Sequence, residues 1–480
     1  MNLIEAFLEQ ASARPDAAAI IAPNGRTVTF GELARSSAAR AHAYESLGIA
    51  AGDVVLVGRG VSIELYETLL AIFRLGAVAM FPEPAAGLKG LKLAIEAVKP
   101  KALAAGRLGR WIRRMTPALW KLKVLAEPRG GEPERNIIAP IPGDAPALIT
   151  FTSGSTGRPK GIVRSADFLM LQHRLLEELR QTKSSDVDLI SLPVFILSNL
   201  AAGAASVIPA GKLTRPAKLD GARLRKQMED NGVNRIVAPP AVVARIVEDA
   251  EPMPRLSAIF TGGGPVFPNL LRAAQKAAPN AAIHAVYGST EAEPIAHLEL
   301  KDISDVDWEA MANGAGLLAG KPISEIAVDI RDSEIFVSGE HVNQGYLDPA
   351  DDKSTKSRRD GKLWHRTGDA ARMDEQGRLW LLGRREAASG ALFPFAVETA
   401  ALSWPGVKQA ALLAEGDRAK LALSGDGLDV QALQTRASKL GNIDVVVLRA
   451  VPMDKRHNSK ADYAKLRQAL GGAAPRSAAK

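Results

Sequence analysis

The stretch ITFTSGSTGRPKGIV, residues 149–163, decides how the rest of the chain is interpreted. The apolar run at residues 147–151 fits a short buried strand. Hydroxyls, glycines, a proline and two cations follow directly, between Thr152 and Gly161. Glycines let backbone N–H groups approach an anion closely, hydroxyls add donors, and cations offset phosphate charge. The stretch therefore predicts a phosphate-binding loop.

Two other interpretations of this loop fit less well. A flexible Gly/Ser linker has no need of Arg158 and Lys160, nor of a buried strand before it. A Walker A loop needs Gly-Lys-Ser/Thr, whereas Lys160 follows Pro159 and precedes Gly161. Residues 151–161 instead closely resemble the signature loop of the adenylate-forming superfamily. That superfamily includes acyl-CoA and aryl-CoA synthetases, adenylation domains of peptide synthetases, and luciferases.

Length and composition limit the class of protein. A chain of 480 residues is too long for one core, so we expect at least two domains. The absence of cysteine excludes disulfides, thiolate metal sites and cysteine nucleophiles. It also suits a reducing compartment, and the N-terminus lacks a signal-peptide pattern. We therefore expect a cytoplasmic protein.

The net charge of +8 raises the question of an anionic partner. Positive residues are spread along the chain without a block of five or more, so we expect no nucleic-acid partner. A diffuse positive field suits small anionic substrates such as ATP, and peripheral contact with an acidic membrane surface stays open. The sequence does not indicate the oligomeric state.

The order of strands and helices predicts the fold class. Strands alternate with helices over residues 1–150, which indicates that the strands of this segment, among them 18–22 and 54–57, form a parallel α/β sheet. The alternation continues over 189–335, and residues 314–383 turn β-like. We expect a large N-terminal AMP-binding domain, residues 1–382, of two doubly wound α/β subdomains plus a small β-barrel. A small α+β lid domain with a disordered tail is expected at residues 383–480.

The segment Tyr287-Gly288-Ser289-Thr290-Glu291 follows a predicted strand and resembles the second ATP motif of the superfamily. The resemblance places Tyr287 against the adenine, Thr290 on the α-phosphate and Glu291 on Mg²⁺, a hard cation that takes oxygen ligands. The structural alternative is a helix N-cap at Ser289 or Thr290, with the glutamate in the first turn.

Two further segments resemble motifs of the superfamily. Thr367-Gly368-Asp369 matches the motif whose aspartate accepts from the ribose hydroxyls. The resemblance makes Arg384 a ribose or phosphate contact and places Glu386 at the hinge of the lid.

Lys460 is the expected catalytic cation. Thr290 and Glu291 are the other two residues that we expect to be catalytic. Its Arg-His-Asn-x-Lys context, residues 456–460, is similar to acyl ligases close to the β-lactone synthetases of bacterial olefin biosynthesis. In the superfamily this lysine bridges the substrate carboxylate and the α-phosphate, where a cation lowers the repulsion between two anions. A surface lysine in a basic tail is the alternative.

The remaining expected site residues form an ATP set and an acyl pocket. The ATP set adds loop and turn residues: Thr152, Ser153, Gly154, Ser155, Thr156, Gly157, Lys160, Gly262, Gly263, Gly264, Gly288 and Ser289. The acyl pocket is expected at Phe195, Ile196, Leu197 and Ser198, with a core strand as the alternative. Because an uncharged pocket stabilises an ammonium group poorly, an apolar acyl chain is favoured over an amino acid.

These features imply ATP-dependent activation of a carboxylic acid, expected to be a fatty acid, to an acyl-adenylate. ATP and Mg²⁺ are the expected cofactors, and transfer to CoA would then give acyl-CoA. The loop after Glu386 is short beside the superfamily pattern, which counts against the CoA step. One alternative is a β-lactone synthetase that captures the same adenylate with the β-hydroxyl of a 3-hydroxy acid. The other is a degenerate ATP-binding scaffold.

Overall fold

The computed structural model describes residues 2–125, 127, 136–153, 159–416, 418–454 and 460–471. The strands of these residues form three sheets. In chain order the strands are β1 (Ala18–Ile21), β2 (Thr27–Thr29), β3 (Val54–Gly58), β4 (Val78–Phe81), β5 (Ala102–Ala105), β6 (Lys123–Val124), β7 (Pro146–Ser153), β8 (Pro159–Ser165), β9 (Val187–Ile190), β10 (Ala205–Val207), β11 (Arg235–Ala238), β12 (Ala258–Gly262), β13 (Ala282–Ser289), β14 (Ala292–Glu299), β15 (Leu317–Pro322), β16 (Ala327–Arg331), β17 (Glu334–Ser338), β18 (Lys356–Arg359), β19 (Lys362–Met373), β20 (Leu379–Arg384), β21 (Val407–Glu415), β22 (Arg418–Gly425) and β23 (Ile443–Val447).

Helices connect most of these strands. In chain order they are α1 (Leu3–Ala13), α2 (Phe30–Ser46), α3 (Ile63–Arg74), α4 (Gly87–Val98), α5 (Arg107–Met115), α6 (Ala166–Arg180), α7 (Pro193–Ala202), α8 (Gly221–Asp230), α9 (Pro240–Val247), α10 (Pro268–Ala277), α11 (Asp305–Ala312), α12 (Pro394–Ala401), α13 (Val430–Ser438) and α14 (Tyr463–Ala469). Within the described residues, none of them is long and apolar enough to cross a membrane.

Local signals in the sequence explain where several helices begin. Thr29 accepts from the backbone N–H of Glu32 and Glu32 accepts from that of Thr29, which is the capping box that the sequence predicts for α2. Ser62 caps α3 in a similar way by accepting from the N–H of Leu65. These side chains satisfy N–H groups that have no partner inside the helix.

The first sheet has six strands in the order β6-β5-β3-β4-β7-β8. Five strands are parallel, and β8 returns antiparallel to β7 around the phosphate loop. The expected strand at residues 147–151 is therefore confirmed as part of β7, and the loop leaves its carboxyl end.

The second sheet begins with parallel strands in the order β1-β10-β9-β11-β12-β13. It continues from β14 through β15 and β20 into the antiparallel strands β16–β19, the β-rich region expected at residues 314–383. One expectation is wrong: β1 and β2 do not join the other early strands but lie at the far edge of this sheet. The sheets share a core in which Phe7, Ile20, Val55 and Leu200 pack together.

The C-terminal part has a three-stranded sheet, β21-β22-β23, with α12, α13 and α14. Its apolar side chains form clusters of their own around Trp404, Leu421 and Leu466. It meets the large part where Phe395 of α12 packs edge-on against Phe267, with ring centroids 5.7 Å apart. Strand β20 ends at Arg384, so the expected boundary after residue 382 falls inside a strand.

Candidate active site

A cavity of about 1810 Å³ opens where the carboxyl ends of the parallel strands meet the C-terminal part. Most expected site residues line it: Thr152, Lys160, Phe195, Leu197, Gly263, Gly264, Tyr287, Gly288, Ser289, Thr290, Glu291, Asp369, Arg384, Glu386 and Lys460. Gly154, Ser155, Thr156 and Gly157 lie outside the described residues, and so does the side chain of Ser153. Ligands of doubly wound sheets bind at this end of the strands, so the cavity is the candidate active site.

At one end of the cavity a hydrogen-bonded group surrounds Asp369. The Tyr287 hydroxyl donates to Asp369 Oδ2 at 2.8 Å, and Arg384 Nη1 lies 3.4 Å from Asp369 Oδ1. Asp369 and Arg384 are direct neighbours across the β19–β20 pair, and Arg384 also donates to the Thr367 carbonyl at 2.9 Å. The negative charge of Asp369 raises the pKa of Arg384, and burial raises that of Tyr287. The group holds a carboxylate in a fixed place facing the cavity.

A second group gathers around Glu291. Tyr346 donates its hydroxyl hydrogen to Glu291 Oε1 at 2.9 Å. The ammonium nitrogens of Lys160 and Lys356 lie 5.1 and 5.6 Å from the centre of the Tyr346 ring. Lys160 and Glu291 line the cavity here, and Lys356, whose ammonium donates to the Asn343 carbonyl, lies behind Tyr346. A cation and a carboxylate side by side suit a phosphate chain that carries a divalent cation.

Burial lowers the pKa of two side chains beside this group. Burial lowers the pKa of Lys356 to about 8, against the opposing effect of Asp352 and Glu291. Burial, with Lys356 and Lys160 nearby, lowers the pKa of His365 to about 3. His365 is 3% exposed, and its Nδ1 has no hydrogen-bond partner among the described residues. The imidazole is therefore neutral at physiological pH.

Glu291 lies in the turn between β13 and β14. The alternative of a helix N-cap at Ser289 or Thr290 is wrong, because the chain forms an antiparallel hairpin here. A side chain of another strand, Arg164 of β8, stabilises this turn. Arg164 donates to the Thr290 carbonyl at 2.7 Å and to Thr150 Oγ1 at 2.6 Å. Arg164 thus links this turn to the strand that leads into the phosphate loop.

The Mg²⁺ expected on Glu291 can be tested against the donor set. No cluster of three or more His, Cys, Asp or Glu suited to a metal occurs within the described ranges. Mg²⁺ that arrives on ATP needs only one or two carboxylates, because phosphates and water complete its shell. Glu291 fits that role, in which the ion would offset the negative charge of the phosphates.

The other end of the cavity is apolar. Its walls come from α3, α7, strands β4 and β7, and nearby loops: Leu65, Leu69, Phe81, Leu148, Leu192, Val194, Phe195, Leu197, Ile208, Leu213, Val266 and Phe267. Such walls bury hydrocarbon favourably and leave a charged group without a partner.

The structure corrects two residues of the expected acyl pocket. The segment is helix α7, so the alternative of a core strand is wrong and only one helix face meets the cavity. Ile196 is fully buried and does not line the cavity. Ser198 faces away, donating to Glu177 at 2.9 Å and lying 2.8 Å from His173 Nδ1.

Gly262, which was expected in the ATP set, does not contact the cavity. It ends β12 and does not line the cavity, whereas Gly263 and Gly264 do. A Cβ at Gly262 would stand 2.5 Å from the Val286 carbonyl oxygen. The glycine permits close approach of β12 and β13, the strand that carries the Tyr287 turn.

A polar group that sequence reasoning missed centres on Glu293. This side chain lines the cavity two residues beyond Glu291, near the start of β14. Gln172 Nε2 lies 3.3 Å from Glu293 Oε2. Enclosure raises the pKa of Glu293, and the charge of Arg164 opposes the shift. The Glu293 carboxyl group therefore holds its proton more firmly than a free glutamate does.

Lys460 reaches the cavity from the C-terminal part. Lys460 and Ala461 pair with Met453 and Asp454 through the Met453–Ala461 bridge and through the Asp454 N–H, which donates to the Lys460 carbonyl at 2.8 Å. His457 and Ser459 of the motif lie outside the described residues. Glu386 lies in a short 3₁₀ turn, Arg385–Ala387, immediately after β20.

Comparison with known proteins identifies the family. The family described as "AMP-binding enzyme" matches residues 7–347. A protein named olefin beta-lactone synthetase from Stenotrophomonas maltophilia is 29% identical over 97% of both chains. One of the same name from Xanthomonas campestris is 30% identical over 86% of this chain and 84% of its own.

The fold agrees with a solved structure. ATP-bound MatB from Rhodopseudomonas palustris superposes with a TM-score of 0.81 at 20% identity, over 98% of this chain and 99% of that chain. The family match covers well over half of the chain, and Thr152, Lys160, the Tyr287 turn and the Asp369 group lie around one cavity. The chain belongs to the AMP-binding enzymes and is an adenylate-forming ligase.

Proposed function

We propose that this ligase forms a β-lactone from a long-chain 3-hydroxy acid. The observation that carries the proposal is the end-to-end similarity, 97% of both chains, to a protein named olefin beta-lactone synthetase. A cavity with one apolar end and one phosphate-binding end supports it, because a fatty acid needs hydrocarbon walls and ATP needs cations.

In the first step the substrate carboxylate attacks the α-phosphate of ATP and releases pyrophosphate. Thr152 and Lys160 would hold the departing phosphates, and Glu291 would hold Mg²⁺, which would offset their negative charge. Asp369 and Arg384 hold the ribose, and Tyr287 lies against the adenine. Lys460 offsets the charge of two anions that are brought together at the reacting centre.

In the second step the 3-hydroxyl oxygen attacks the acyl carbonyl carbon of the same molecule. A four-membered ester ring forms, AMP leaves with its electron pair, and Glu293 accepts the hydroxyl proton. The raised pKa of Glu293 supports this role, because an efficient general base has a pKa near the operating pH. Gln172 would fix the carboxylate in place.

Transfer to CoA is the second candidate for the acceptor. Its support is the common fold with solved CoA ligases, among them an anthranilate CoA ligase with a TM-score of 0.82 at 18% identity. In this case the lid would turn about Glu386 after adenylation so that a thiol can enter. We place the start of the mobile part at Gly383–Glu386, which spans the last two residues of β20 and the beginning of the short turn after it.

The experiment is product analysis by mass spectrometry. The enzyme is given MgATP and a long-chain 3-hydroxy acid, with and without CoA, beside a matched acid without the hydroxyl. The proposal predicts a CoA-independent product lighter than the acid by one water, together with AMP. An acyl-CoA formed from both acids would instead establish the second candidate.

Glu293→Gln separates the two steps. Loss of a general base typically costs about 10²- to 10⁴-fold, so lactone release should slow by that factor while pyrophosphate exchange continues. Glu293→Asp keeps the carboxylate and should retain part of the rate. Equal lactone formation by the glutamine variant and the unaltered enzyme would remove Glu293 from the mechanism.

A further inference from the structure

The segment that contains α4 and α5 carries an unusual concentration of positive charge. Residues 87–125 contain ten lysines and arginines and a single acid, Glu96, a net charge of +9 against +8 for the whole chain. Although no block of five or more positive residues occurs, the cations are concentrated in this segment. Elsewhere the charges nearly cancel.

Both helices lie on the same face of the first sheet. The chain passes from β4 to β5 through α4 and from β5 to β6 through α5, in one direction along the sheet order. Crossovers that run in one direction place their helices on one face, because such connections are right-handed. Leu91 of α4 and Ile112 of α5 accordingly pack into one apolar cluster under this face.

The outward sides of the two helices mix cations with large apolar side chains. On α5, Arg107, Arg110, Trp111 and Arg114 recur at helical spacing and all are exposed, with Trp111 57% exposed. Met115, next to Arg114, is 62% exposed.

The same mixture continues on α4 and after α5. Leu88 is 57% and Leu93 36% exposed, beside the exposed Lys89 and Lys92. Trp120 is 58% exposed. Half of the large exposed apolar side chains among the described residues thus fall between residues 88 and 120. We call the exposed side chains of residues 88–121 the basic–aromatic surface.

Hydrogen bonds hold one aromatic ring of this surface in place. The Trp120 indole N–H donates to the Arg113 carbonyl at 2.9 Å, and the Arg113 guanidinium donates to the Trp120 carbonyl at 3.1 Å. The indole nitrogen is therefore satisfied within the protein while the ring faces outward. An indole that joins a polar edge to an exposed apolar body is typical of membrane interfaces.

The basic–aromatic surface adjoins the mouth of the cavity. Phe81 and Pro84, which line the cavity, lead directly into α4. Arg59 lines both the cavity and a smaller depression whose other walls include Arg107 and Arg110. A bilayer resting on this surface would lie beside the cavity that we propose to take a lipophilic acid.

We propose that the basic–aromatic surface binds the headgroup region of an anionic phospholipid bilayer. Lysines and arginines are attracted to anionic headgroups, and leucine, methionine and tryptophan side chains bury apolar area at the acyl boundary. Nucleic acid would use the cations but would leave Leu88, Leu93 and Met115 exposed to water. The apolar half of the surface therefore favours a lipid partner.

The test is co-sedimentation of the full chain with vesicles, without substrate, so that it does not depend on the proposed function. Vesicles of phosphatidylcholine with phosphatidylglycerol are compared with phosphatidylcholine alone at two salt concentrations. The proposal predicts binding to the anionic vesicles that weakens with salt. Lys89→Glu with Arg114→Glu should lower the affinity by about tenfold or more. Trp111→Ala with Met115→Ala should also lower it several-fold.

Matched controls carry the same changes elsewhere. Arg223→Glu with Lys439→Glu alters the net charge equally, and Val306→Ala with Met373→Ala removes exposed apolar side chains; all four positions are exposed. These variants should bind vesicles as the unaltered chain does. Circular dichroism and pyrophosphate exchange should match for every variant.

Three results would overturn the proposal. The first is no binding to anionic vesicles, and the second is equal binding by the Lys89/Arg114 variant and its charge-matched control. The third is binding of DNA or RNA, or self-association, that the Lys89/Arg114 substitutions abolish while vesicle binding is unaffected.

Discussion

At the scale of single residues, the cavity combines groups whose types were expected with groups that only the structure reveals. Glu291, Asp369 and Lys460 follow from sequence motifs, and they line one cavity although up to 169 positions separate them in the chain. Lys356 and His365 do not follow from the sequence. Lys356 belongs to the charged run DDKSTKSRR, which is typical of a solvated surface, and only the fold brings it beside Glu291.

Lys460→Ala should abolish adenylation but leave ATP binding in place. The phosphate loop, the Glu291 turn and the Asp369 group all belong to the large part of the chain and remain intact. Pyrophosphate exchange should fall by 10²-fold or more, about 2.7 kcal/mol or more of lost transition-state stabilisation, while ATP affinity changes little. Lys465→Ala, in the same basic tail, is the control. Equal exchange by both variants would refute the role of Lys460.

Lys356 should make ATP binding depend on pH. Its pKa is about 8, so in the free enzyme the ammonium is charged below that pH and neutral above it. Anionic phosphates bind the charged form more tightly, so the KM for ATP should rise between pH 7 and 9. Lys356→Arg keeps a cation throughout this range and should flatten the profile. A rise of the same size in the arginine variant would exclude Lys356 as its source.

At the scale of secondary-structure elements, the strands at the ligand-bearing edge were the most predictable. The apolar runs that end at the phosphate loop and at the Tyr287 turn are strands β7 and β13. Two errors have physical causes. The partners of β1 were misjudged, since strand periodicity does not specify which sheet a strand joins. Two of the residues predicted to line the acyl pocket were wrong because α7 turns only one face to the cavity.

Helix α12 carries a buried carboxyl group that should link stability to pH. Glu398 is 4% exposed, accepts from the Leu412 N–H at 2.9 Å, and has its pKa raised by burial to about 7. The folded state therefore binds more protons than the unfolded state between about pH 4.5 and 7, so this group lowers stability as pH rises through that range. The upper bound of the loss is about 3 kcal/mol.

Glu398→Gln tests this linkage directly. The amide oxygen can still accept from Leu412, but the side chain does not titrate, so the pH-dependent loss should disappear. Chemical denaturation from pH 4.5 to 7.5 measures the free energy of unfolding. Glu415→Gln, a half-exposed acid in the same part of the chain, is the control. An unchanged slope in Glu398→Gln would show that other groups cause the dependence.

At the scale of the whole molecule, the fold unites a charged region around Glu291 and Asp369, an apolar region and a C-terminal lysine around one cavity. The fold class was predictable because the alternation of apolar strands and helices is clear in the sequence. The family match agrees with this fold class. The basic–aromatic surface escaped prediction, since its cations alternate with apolar residues and form no run of five. The cytoplasmic location and the lid boundary stay predictions.

The central claim is that a carboxylate of the substrate attacks the α-phosphate of ATP, and isotope transfer tests it most directly. The enzyme is given MgATP and a 3-hydroxy acid with ¹⁸O in both carboxylate oxygens, and the AMP released is weighed by mass spectrometry. Because the adenylate is cleaved at its acyl carbon, one ¹⁸O should appear in the phosphate of AMP, and the lactone should keep the other. AMP without label, or ADP and phosphate as the products, would contradict adenylate formation.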